Sequence, residues 1–527
     1  MVFTSVYFLL FLLATIILYF VFPIKIRWVV LLLASGFFYY VAGVQFVPFI
    51  LVTTIISYLA GMYISGKKEK LAASLLDCKD DSDKTNELTK KCQKACKAVM
   101  IIALLVVIGI LLYTKFFKML AHVVDGAFSG ANWSSLTVIV PLGISYYTFS
   151  TVGYVLDIYW ERYSAQKNFF KYMLYVIYFP HILQGPIARY NKLGVQFFEE
   201  HRFDYKRMMD GFQLMMWGFI QKLVIADRLG IFVGKVYDNW ENQTGLILLI
   251  ATLFYAVQIY TDFAGCVNIA RGASSIFGIE LEDNFRQPYF SESVAEFWRR
   301  WHMTLGAWFK DYLCMPVAVS GFVKKLSKFN RKHISKQAGK NTVTICSLVA
   351  VWICTGVWHG TGLNYILWGI WQGGIIVFST LMEPNFKKWK KALKIKEDSI
   401  SWKRFKIVRT FILTGIIPRV VTRAASVPAA MGIFKRMVTT FKPWVLFDGT
   451  LYSFGLDRPN FWLGIICIFV LYFVSKAKEN GVQIRDSIAA KPLPVRWIIY
   501  YAALFTIIIL GIYGPGYDAS AFVYMNF

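Results

Sequence analysis

An all-α polytopic membrane protein is predicted by three observations. Of 527 residues, 57% are hydrophobic and 17% aromatic, and the mean hydropathy is +0.50, values of a chain that prefers lipid to water. Apolar stretches long enough to span a bilayer recur along it. Positive charge gathers in a few of the segments between them.

The stretches fall at 5–22, 28–43, 46–64, 98–114, 137–155, 211–226, 245–260, 343–358, 363–381, 407–421, 459–475 and 497–513. A hydrocarbon core of roughly 30 Å takes about 20 helical residues, so the shorter stretches are expected to be tilted, broken or re-entrant. The expectation is about eleven to thirteen crossings or half-crossings. The first stretch has no basic segment before it and no small-residue cleavage site before Ile24, so it reads as a retained helix, not a signal peptide.

The net charge of +26 reports orientation, because Lys and Arg concentrate at Lys67–Lys97, Lys324–Lys340, Lys387–Arg409 and Lys476–Arg496. These segments are expected in the cytoplasm, which leaves both termini extracytoplasmic in a multi-pass protein of the cell membrane. Anionic lipid headgroups account for the basic loops. No nucleic-acid recognition motif accompanies them, and no nucleic-acid partner is expected. The segment Phe386–Lys396, FKKWKKALKIK, reads either as a basic amphipathic stretch on the inner leaflet or as a solvated loop.

Eight cysteines are scattered without a CxxC pair. Cys92 and Cys96 lie four apart with no histidine near, so neither a metal site nor a disulfide framework is expected. No repeat of 20–50 residues and no Gly/Ser/Pro linker divides the chain. Residues 65–97 and 319–342 are the expected cytoplasmic loops, and 383–406 a break before a C-terminal helical annex.

Chemistry centres on Val351–Trp371, VWICTGVWHGTGLNYILWGIW, where one imidazole, His359, lies inside an apolar and aromatic run. An ionisable group at that depth is costly and marks transport or chemistry. On the residues alone His359 is either a structural imidazole bonded to a backbone carbonyl or a reacting group. Gly356, Gly360 and Gly362 leave the backbone approachable, and Thr355, Thr361 and Asn364 offer polar partners. A second segment, Glu296–Leu313, EFWRRWHMTLGAWFKDYL, carries its apolar residues at a helical period. At about 100° per residue, His302 borders that stripe, as a simple hydrogen-bonding neighbour or as a second functional imidazole.

These two segments, in this order, resemble the membrane-bound O-acyltransferase family, most closely its bacterial branch acting on alginate and peptidoglycan. Pro141–Tyr159, Tyr178–Tyr190 and Ala256–Tyr289 agree with it, and the resemblance is strong over about residues 100–380. It implies a ring of tilted transmembrane helices around a central catalytic cavity, with re-entrant and amphipathic helices. Residues 98–382 would then be the catalytic core, 1–97 an N-terminal helical part with a basic loop, and 383–527 the annex. Carried over residue by residue, the family's catalytic histidine falls on His359 and its more variable second position on His302. The chain departs from the family at Val421–Ala430, VTRAASVPAA, where relatives have an aromatic-Arg-Ala sequence.

The implied reaction is acyl transfer from a cytoplasmic thioester to an oxygen nucleophile across the membrane. No cofactor is expected to be bound, and acetyl-CoA is the expected donor. His359 would be the general base, His302 would orient the acyl carbonyl or stabilise its oxyanion, and Asn364 or the backbone near Gly360 could donate to that oxyanion. The terminal AFVYMNF resembles an ending of this branch, which implies that Tyr524 accepts the acyl group as a phenolic ester; a plain interfacial anchor is the alternative. An extracytoplasmic SGNH-type partner is implied, since no G-x-S-x-G elbow occurs here. D-alanyl transfer to teichoic acid and a transporter or channel are the competing readings, the latter without visible inverted repeats. No histidine is followed by Asp five positions on, which excludes a soluble His-Asp mechanism.

Overall fold

A computed structural model describes residues 2–77, 82–127, 133–514 and 517. Tyr524, the expected acyl carrier, lies outside them. The protein is helical throughout: among the described residues the only β pairing is an isolated bridge between Phe285 and Trp301. Intrahelical bonding is what the sequence demands, because lipid offers backbone amides no partner.

Among the described residues, eight helices are long and apolar enough to cross a membrane, from Ile24–Ala42 to Leu493–Leu510. Leu493–Leu510 has no buried residue, as expected of a helix whose apolar side chains face lipid. The other apolar stretches form shorter or interrupted helices. Val6–Val21 and Ile144–Tyr159 have 16 residues each. The stretch at 211–226 passes from the helix Tyr205–Phe219 into a π-turn at Ile220–Ala226, and that at 407–421 contains one at Ile412–Ile416. Among the described residues, the expected eleven to thirteen passages therefore divide into eight helices long enough to span and a set of short or broken ones.

Two compact units are formed, Met1–Phe212 with Ala270–Glu282, and Gln213–Ile269 with Asp283–Phe527. In the first, Ile144–Tyr159 is buried along nearly its whole length, against Val47–Asp77 and Ser82–Ala127. The rings of Tyr154, Tyr172, Tyr175 and Tyr190 pack with centroids 4.3–6.4 Å apart. Their hydroxyls need partners once buried: Tyr172 donates to Ser57 Oγ at 2.7 Å and Tyr175 to the Ala188 carbonyl at 2.8 Å.

The second unit holds both singled-out histidines. Its core runs from Val224–Tyr237 through Ile247–Val267 to Phe297, Trp301, Val420, Ile433 and Phe461. Serine caps set several helix starts in the way the sequence allows. Ser335 Oγ accepts from the Ala338 amide at 3.0 Å, which opens Lys336–His359, and Ser426 does the same for Val427–Thr439.

Candidate functional site

His359 is the last residue of the helix Lys336–His359. The extended Gly360 ends that helix, and a second helix, Leu363–Ala392, begins three residues later. The two pack backbone to backbone: a Cβ on Gly369 would lie 2.6 Å from the Trp352 carbonyl oxygen, and one on Gly356 2.8 Å from that of Tyr365. Small residues at such contacts let membrane helices approach closely. The hairpin so formed fixes where His359 points.

The imidazole is 7% exposed and meets the Trp358 ring at 4.7 Å and the Trp368 ring at 4.7 Å, the latter edge to face at 76°. Trp368 in turn packs on Trp298 and Trp352, and the Trp298 indole donates to Gln372 Oε1 at 3.1 Å. A ring held between indoles has little rotational freedom. Beside it lies a cavity of about 20 Å³, lined by Ile259, Trp301, His359, Tyr365, Trp368, Arg419 and Thr422. That is room for about one water molecule.

His302 does not border a continuous helix, as the periodicity of Glu296–Leu313 leads one to expect. The helix Val294–Arg300 ends, Trp301 is extended (φ −109°, ψ 129°), His302 is left-handed (φ 46°, ψ 53°), and Met303–Phe309 starts afresh. The preceding segment forces the break. The Arg286 amide donates to the Arg300 carbonyl and the Met303 amide to the Asn284 carbonyl, both at 3.0 Å. Asn284 Oδ1 also accepts from the Thr304 amide at 3.1 Å and hydroxyl at 2.6 Å. His302 is consequently buried (2% exposed), edge to face with Phe263 at 4.8 Å and 6.1 Å from the Trp358 ring. Burial lowers its pKa and keeps the ring neutral. Its neighbours Trp301 and Trp358 touch the cavity or His359; His302 is not among the lining residues.

Asn364 is partly buried, with Nδ2 3.5 Å from the Val421 carbonyl. The Gly360 amide points back to the Gly356 carbonyl at 3.4 Å. Neither lines the cavity.

Two lining residues escaped sequence reasoning, Arg419 and Thr422. Arg419 is 4% exposed, with its guanidinium carbon 5.1 Å from the centroid of the Trp301 ring. The signal was present: one arginine inside the apolar run IIPRVV is the same kind of costly intramembrane charge that drew attention to His359.

A buried charge cluster lies in the same unit. Lys222 Nζ bridges Asp262 Oδ1 at 2.6 Å and Asp227 Oδ1 at 2.8 Å, and Asp227 Oδ2 accepts from Tyr517 Oη at 2.9 Å. The Ile512 amide donates to the Leu223 carbonyl at 2.9 Å, and Arg228 Nη2 to the Leu510 carbonyl at 2.7 Å. The chain after the last long helix is thus fastened to residues 223–228.

A family model described as MBOAT, membrane-bound O-acyltransferase family, matches residues 161–416. That range contains His302 and His359 and ends just before Arg419. Among curated relatives, the probable alginate O-acetylase AlgI of Azotobacter vinelandii is 28% identical over 452 residues, 85% of this chain and 80% of that protein. The protein of the same name in Pseudomonas aeruginosa is 31% identical over 324 residues, 61% and 55% of the two chains. A peptidoglycan O-acetyltransferase of Helicobacter pylori is 25% identical over 370 residues, 65% and 62%. The chain spans about half the length of most of the alginate relatives it matches.

Proposed function

We propose that the chain is a membrane-bound O-acyltransferase, the family whose model matches residues 161–416, and that it moves an acetyl group from a cytoplasmic thioester, acetyl-CoA, across the membrane for O-acetylation of a cell-surface or secreted polysaccharide. The observation that carries this reading is His359: a nearly buried imidazole at a helix end, clamped by tryptophans, beside a cavity that also holds a guanidinium. Coenzyme A phosphates stay in water on the basic cytoplasmic side, and only the acetyl group reaches His359.

His359 takes the proton from the attacking hydroxyl and returns it to the departing thiolate. The imidazolium formed in between sits at the C-terminal end of Lys336–His359, where the helix dipole favours positive charge. His302, neutral and off the cavity, acts as a positioning residue through Trp301 and Trp358. On this reading His359→Ala abolishes polymer acetylation with the protein still in the membrane, and His302→Ala gives a smaller defect. Acetylation that persists in His359→Ala membranes would refute the catalytic role.

Tyr524 receives the acetyl group outside and hands it to an extracytoplasmic SGNH-type partner. This reading rests on the likeness of the terminal AFVYMNF to an ending of the same branch. Intact mass after incubation with acetyl-CoA tests it: an acetyl increment present in the wild type and absent from Tyr524→Phe is the expected result. An increment that survives the substitution removes the relay and leaves the acyltransferase reading intact.

A further inference from the structure

The Arg419 guanidinium is buried and lines the same cavity as His359, without a counter-charge among the described residues. Its neighbour in the helix Ile417–Arg423, Arg423, pairs with Asp238 at 3.3 Å, whereas no carboxylate among the described residues forms an ion pair with Arg419. Its Nε is buried and has no hydrogen-bond partner among them. The group is held in place by other means. It stacks over Trp301, with the guanidinium carbon 5.1 Å from the ring centroid.

Leaving a cation unpaired at such depth is expensive. A methionine of similar length would fill the same volume without that cost. Retaining the charge makes sense where an anion appears beside it for part of each turnover, and the cavity shared with His359 is that place. The alternative donors are poorly set: the Gly360 amide is turned to Gly356 and Asn364 lies off the lining.

We propose that Arg419 is the oxyanion donor of the acyl-transfer step, an assignment that rests on the acyltransferase reading. The hydroxyl oxygen, losing its proton to His359, bonds to the thioester carbonyl carbon, and the carbonyl π pair moves onto oxygen. Arg419 holds the resulting oxyanion by charge-assisted hydrogen bonds. As the carbonyl re-forms, the C–S bond breaks and the thiolate leaves with the proton from His359.

The test uses the purified full-length protein in detergent, with acetyl-CoA as donor and free coenzyme A thiol as readout. Arg419→Met is expected to lower kcat by about 10²–10³-fold, leaving the KM for acetyl-CoA within about twofold. Its unfolding temperature is expected to equal or exceed that of the wild type, because an uncompensated buried cation has been removed. Arg419→Lys, which keeps charge but loses the fork, is expected to recover about tenfold of the lost rate.

An unchanged kcat in Arg419→Met overturns the assignment. So does a defect confined to KM, which would make Arg419 a ground-state binder of a substrate carboxylate or phosphate, and so does a marked fall in unfolding temperature, which would make it structural. A wild type that releases no thiol from acetyl-CoA sinks the acyltransferase reading and this assignment together. A wild type that turns over while Arg419→Met matches it removes this assignment alone.

Discussion

The indole of Trp368 touches His359 on one side and the tryptophan cluster on the other, so packing helps to set the position of the ring proposed to react. Trp368→Ala is expected to cost about 3–5 kcal/mol of stability, as large-to-small changes of buried aromatics do, and to depress acetyl transfer. Trp368→Phe keeps an edge-to-face partner and is expected to lose much less of both; thermal unfolding and thiol release on the same preparations check it. The Lys222 cluster makes a second, signed prediction. Lys222 and Asp262 are each 1% exposed, so Lys222→Met leaves two neighbouring carboxylates without their cation, at a cost of about 3–5 kcal/mol. Asp227→Asn leaves one cation with one anion and removes a group that is 13% exposed. Its unfolding temperature is expected to fall less than that of Lys222→Met, and the reverse order would show that Lys222 is not the hub.

The break at Trp301–His302 is made by residues 284–286 and not by any helix-breaking residue within it. Asn284 is therefore expected to matter out of proportion to its size: Asn284→Ala strips two bonds from the start of Met303–Phe309. The expected loss is about 1–2 kcal/mol, with acetyl transfer reduced through displaced Trp301. A variant as active and as stable as the wild type would show that the break is held elsewhere. The hairpin that carries His359 is sensitive to Gly369, where an added Cβ meets the Trp352 carbonyl at 2.6 Å. Gly369→Ala is expected to push the two helices apart and lower both the unfolding temperature and the transfer rate. Gly374→Ala, on the same helix with nothing within 4 Å, serves as the neutral control.

The proposed orientation rests on where the basic residues sit. The helix Gly321–His333 carries exposed Lys324, Lys325, Lys328, Arg331 and Lys332, and it leads straight into the long helix Lys336–His359. If positive charge marks the cytoplasmic side, Lys332→Cys in a cysteine-free background reacts with an impermeant maleimide only in inverted vesicles, and labelling of intact cells would invert the topology. His359, at the far end of the following helix, then lies toward the outer side of that span.

Local signals made the helical membrane architecture, the Ser335 cap and the isolated imidazole of His359 legible, because apolar runs, capping residues and a lone ionisable group are properties of neighbouring residues. The full-length helices could be told from the short ones only after folding, since π-turns at 220–226 and 412–416 leave no mark in composition. The left-handed turn at His302 escaped for a related reason: its cause is a bridge from Phe285 and bonds from Asn284, sixteen or more positions upstream. The sequence chose which groups would be costly to bury, His359 and Arg419 among them. Long-range packing chose which of them share a cavity, because that depends on helices far apart in the chain converging on Trp301.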